Sequence, residues 1–132
     1  MIRRFLATVA VALGLSAGAA GATGAKPDYS AVTSREAADR LVSQDKLFKI
    51  LLFPAEFGGE ARPENIVYVP GGIPGIKDQL TGTLVRFVKQ DLIDNLRVEP
   101  EYKGHSLVPA RIRMFTTHKD KAGSFNPVIE IW

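Results

Sequence analysis

The sequence predicts an α+β domain over residues 26–132: an antiparallel-rich sheet of about five strands, a long helix packed on one face, and a shorter N-terminal helix. Three observations lead there. Residues 76–92 place apolar side chains every three or four positions, the period of a helix with one buried stripe. The final third alternates with period two, as a half-buried antiparallel sheet does. Helical and strand-like runs also follow one another without the repeated strand–helix alternation of a parallel sheet.

The chain of 132 residues opens on a different pattern. Arg3 and Arg4 precede an apolar run from Phe5 to Leu15, and small residues follow. That order is the signature of a secretory signal peptide, expected to occupy residues 1–25. Ala-Gly-Ala22 and Thr-Gly-Ala25 both fit the small-residue rule for cleavage. The apolar run falls short of the roughly 20 residues that span a bilayer, so no stable membrane insertion is expected after cleavage. Localisation is therefore expected to be periplasmic or secreted, with an N-terminally anchored structural protein as one alternative.

Removal of Arg3 and Arg4 leaves 15 basic against 14 acidic residues. So small an excess lacks the basic field of a nucleic-acid binder. The chain has no cysteine, which excludes disulfides, thiolate metal sites and thiol catalysis. Nothing in it calls for a cofactor.

Along the domain, Thr33-Ser-Arg-Glu36 fits a capping box, and Ala37, Ala38, Leu41 and Val42 follow at helical spacing, predicting a helix over about 34–45. Leu47 to Phe53 is a nearly continuous apolar run stopped by Pro54, as in a strand buried on both faces. Residues 54–64 form a loop with two prolines and two glycines, and Ile66–Val69 a short strand. The long helix follows, with Ile76, Leu80, Leu84, Phe87, Val88 and Leu92 on its apolar stripe. Lys77, Asp78, Gln90, Asp91 and Asp94 fill much of the rest, and Gly82 suggests close approach of a neighbouring strand.

Register can be set for the last three strands. Leu96, Val98, Pro100 and Tyr102 share one face, as do Val108, Ala110, Ile112 and Met114. A five-residue turn, Lys103 to Leu107, would set Glu99 against Arg111 and avoid opposed arginines. His105 then sits at a hairpin tip beside Gly104, as a solvated turn residue rather than a catalytic one. A six-residue turn, 119–124, would set Arg113 against Glu130, Arg111 against Trp132 and Phe115 against Val128.

That register gathers Arg111, Phe115, Val128 and Trp132 on the outer sheet face, and apolar residues there imply a cover or a partner. The first helix is one possible cover. Phe57, beside Gly58 and Gly59, is a second candidate anchor. No motif offers convincing catalysis. Ser106 lacks the nucleophile-elbow glycine, and the glycine-rich turn before the long helix does not match the phosphate-loop pattern. The expected function is therefore a non-catalytic binding module of the inhibitor, immunity-factor or accessory-subunit kind, engaging another protein or a second copy through the outer sheet face. The alternative is a small hydrolase using Glu99 and Glu101, whose strand spacing approaches the carboxylate separations of glycosidases. On the export reading, the intact mass of the exported protein should place its first residue at Thr23 or Lys26. A mass that retains the apolar run would contradict it.

Overall fold

A computed structural model describes residues 27–132; the segment read as a signal peptide lies outside the described residues. Its elements are α1 (Arg35–Ser43), β1 (Phe48–Leu51), β2 (Ile66–Val69), α2 (Ile73–Lys89), β3 (Asn95–Tyr102), β4 (Pro109–Thr117) and β5 (Val128–Glu130), with 3-10 turns at Ala55–Phe57 and Pro63–Asn65. The class is α+β, as expected, but the five strands do not form one sheet. β1 and β2 pair antiparallel as a two-stranded sheet, and β3, β4 and β5 form a three-stranded antiparallel sheet in that order. β4 already has both edges occupied. The outer strand β3 carries Pro100, which has no N–H for a ladder. β2 meets this sheet by side-chain packing: Val67 and Val69 share a core with Ile112, Met114 and Ile129.

α1 starts one residue later than the capping box implies. Ser34, not Thr33, is the cap, its Oγ accepting from the Ala37 N–H at 3.1 Å. β1 is not buried on both faces, since Phe48 and Lys49 are exposed. Asn65 braces the loop after β1, accepting from the Phe53 N–H at 2.7 Å and donating to the Phe53 and Glu60 carbonyls. Any side chain at Gly59 would overlap the Phe53 carbonyl oxygen, so that position requires glycine.

α2 is rotated from the expected stripe. Ile73, Lys77, Thr81 and Leu84 are its buried residues, while Ile76, Val88 and, beyond the helix, Leu92 are exposed. The close approach expected at Gly82 is absent, for a Cβ there would meet nothing within 4 Å, and nothing in the structure explains this glycine.

In the three-stranded sheet the inward face is the even-numbered one along β3 and β4, with Val108, Ala110, Ile112 and Met114 all buried. The pairing differs from the expected register by two residues. Glu99 faces Arg113, Glu101 faces Arg111, and Ile112 faces Ile129. A shift of two preserves which face each residue occupies, so the core is as read while the neighbours on each face change. The register slips at Glu101/Tyr102, where Tyr102 pairs with Pro109. Tyr102, expected in the core, is 47% exposed.

The chain's last two residues form a second irregularity. The N–H groups of Ile131 and Trp132 both donate to the Ala110 carbonyl, at 2.8 and 3.2 Å. Two residues opposite one is a bulge. It takes Trp132 off the outer face and into an inner cluster with Val32, Ala38, Leu47, Tyr68 and Val108, which Leu41 and Val42 of α1 also join.

Candidate functional site

The outer face of the three-stranded sheet carries a lattice of ion pairs. Arg97 and Glu99 alternate along β3, Arg111 and Arg113 along β4, and Glu130 follows on β5. The Arg97 Nε donates to Glu99 at 2.6 Å, and its guanidinium lies 4.2 Å from the centre of the Phe115 ring. Glu101 receives two arginines, Arg111 at 3.0 Å and Arg113 through its other oxygen. Arg111 also donates to Glu130 at 3.1 Å, so the lattice crosses all three strands. These side chains are half-exposed, and each pair alone adds little stability. Together they hold each of the three guanidiniums against a carboxylate of the same face.

Arg113, and then Arg111, hold the Glu101 carboxyl below its ordinary range, and Glu101 in turn raises Arg111 further. A general acid in a glycosidase needs the opposite shift. Glu99, the other half of that candidate pair, is bonded to Arg97. The pairing also corrects the expected Glu99–Arg111 contact, because Arg111 belongs to Glu101 and Glu130.

Of the residues expected to make one outer cluster, Arg111, Phe115 and Val128 are on this face, though not as neighbours in the expected way. Phe115 faces Arg97, and Val128 faces Arg113 and is 40% exposed. Trp132 is elsewhere. Its indole N–H donates to the Val108 carbonyl at 2.9 Å, and Tyr29 meets the ring edge-on at 5.8 Å. Phe57 is not a free loop anchor either: it packs on the main core and against Phe53.

Ser106 and His118 are committed to contacts within the fold. Ser106 is buried, donating to the Tyr29 carbonyl at 2.8 Å and accepting from the Val108 N–H at 3.1 Å. His105 beside it is exposed at the turn, where Gly104 has φ +55°. His118 accepts at Nδ1 from the Asp120 N–H at 3.0 Å and bonds through Nε2 to Asp91 at 2.9 Å, so neither ring nitrogen is free. The His118 and Lys121 contacts hold the Asp91 carboxyl below its usual value. Among the described residues, no group of three or more His, Asp or Glu side chains is arranged to hold a metal ion, and no helix is long and apolar enough to cross a membrane.

One polar group escaped the sequence reading. Lys77, assigned to the solvent side of α2, is 5% exposed and lines a cleft beside Glu56. The signal was its spacing: Ile73, Lys77 and Leu84 fall on one helical stripe.

No family model matches the chain, and comparison with curated proteins and with solved structures finds no relative.

The lattice has a pH signature. A carboxyl lowered by folding contributes stability above its unfolded pKa and loses it as pH falls through the folded one. Between about pH 5 and pH 2, wild type should therefore lose melting temperature more steeply than Glu101→Gln. The difference should shrink in high salt, because the pairs are exposed. Parallel melting curves across that range would count against the lattice.

Proposed function

We propose that this chain is an exported, non-catalytic binding module that engages a partner protein through the outer face of β3, β4 and β5. One observation carries the reading. That face presents a preorganised, charge-balanced set of three arginines and three glutamates, with Arg97 stacked on Phe115 and Val128 exposed beside them. Arginine and aromatic side chains supply much of the affinity in protein interfaces, and holding them in place beforehand lowers the cost of ordering them. Balanced charge suits another protein's mixed surface better than a polyanion or an anionic membrane. The sequence of Arg3, Arg4, an apolar run and small residues supports export to the periplasm or medium. The hydrolase alternative finds less support, since Glu101 is held ionised between two arginines.

A photo-crosslinking residue at Val128 tests this in cells that export the protein, with the same residue at Ile76 on α2 as control. The expected result is a discrete adduct from position 128 and none from position 76, weakened when Arg97 and Phe115 are both changed to Ala. An adduct of twice the protein's mass would identify the partner as a second copy. No adduct at 128, or equal adducts at both positions, would overturn the assignment of this face.

A further inference from the structure

The second turn of α2 holds a lysine where the helix period places core residues. Lys77 is 5% exposed and Thr81, one turn on, is 4% exposed. Their stripe continues Ile73 and Leu84, which are in the main core. Among the described residues, the Lys77 ammonium has no hydrogen-bond or ion-pair partner; only the more distant charges of Asp78 and Glu56 act on it. A buried ammonium without an acceptor is costly, and such a group calls for a cause.

The surroundings suggest one. Lys77 and Thr81 line an open-sided cleft of about 220 Å³. Leu51, Pro54 and Pro74 give it apolar walls, and Glu56 and Asp78, whose charges act on Lys77, also line it. The wall is firmly built, because Asn65 and Gly59 fix the loop that carries Pro54 and Glu56. The volume lies below the roughly 300–1,000 Å³ of drug-sized sites, so an occupant must be small. A simple anion would satisfy Lys77 but would meet two carboxylates. A simple cation would meet Lys77. A molecule carrying both charges a few ångströms apart satisfies both sets.

We infer that this cleft is a binding site for a small zwitterion of the amino-acid class, its carboxylate on the Lys77 ammonium and Thr81 hydroxyl and its ammonium toward Glu56 and Asp78. The site shares no residue with the outer sheet face, so it stands or falls independently of the partner surface. Desolvation lowers the Lys77 pKa, while Asp78 and Glu56 oppose that shift. A carboxylate placed on the ammonium adds to their side.

The test is a titration of the isotope-labelled mature protein, following the amide signals of residues 54–56 and 77–81. The probes are the common α-, β- and γ-amino acids, with acetate and ethylamine as single-charge controls. At least one amino acid should give saturable shifts at these positions. Its affinity should exceed that of either control by roughly tenfold or more, the worth of one charge-assisted contact. Lys77→Met, close in volume, should abolish binding. Because Lys77→Met can also alter folding, the exposed change Glu56→Gln is the second arm: it should weaken the amino acid and strengthen acetate. Acetate binding as tightly as every amino acid would overturn the zwitterion assignment. Failure of the whole panel to shift these signals would overturn the site, leaving Lys77 solvated by water alone.

Discussion

Both ends of the described chain close on the few residues that lead into β4. The Leu107 N–H donates to the Val32 carbonyl at 2.7 Å, and the Ser106 hydroxyl donates to Tyr29. From the other end, Ile131 and Trp132 share the Ala110 carbonyl, and the Trp132 indole takes the Val108 carbonyl. The two ends then touch, Tyr29 edge-on to Trp132, with the Lys103 ammonium 4.7 Å from the centre of the indole ring. Without disulfides, this closure does the work a crosslink would do in a small domain. It also anchors α1, whose Leu41 and Val42 pack into the same cluster.

The closure fixes which side of β4 faces the core and which faces outward. Once β4 is fixed, its even residues from Ala110 to Met114 are committed to the core and the odd residues from Arg111 to Phe115 to the outer face. The core positions carry Ala110, Ile112 and Met114. Arg111, Arg113 and Phe115 are left outward, where the carboxylates of β3 and β5 order them. The hairpin that raised the question of catalysis serves this architecture. Ser106 is a staple, and its neighbour His105 stands in solvent at the bend.

Much of the fold was legible because apolar periodicity is a local signal. The strand at Ile66–Val69, the long helix and the parity of the last sheet follow from spacing alone. Register was not legible to the residue. Charge pairing favoured Glu99 with Arg111, yet Glu101 with Arg111 and Arg113 satisfies the same rule with one more contact. Bulges are the deeper reason: the slip at Glu101/Tyr102 and the doubled contact at Ala110 each depend on tertiary packing, and they decide where Tyr102 and Trp132 go. The helix stripe was misread by about one position, because Ile76 is more apolar than Lys77. A lysine on the buried stripe contradicts the local apolar pattern, so periodicity alone passes over it.

Native-state hydrogen exchange on wild type and Trp132→Ala tests the end-closure directly. If the closure holds the domain, the amides of Leu107, Val108 and Ile131 exchange in wild type only through global unfolding. In the variant all three should speed up together, and the urea-derived stability should fall by about 3 kcal/mol, the range for removing a packed tryptophan. If those amides keep their protection and the urea midpoint does not move, the ends are ornamental and the domain is held elsewhere.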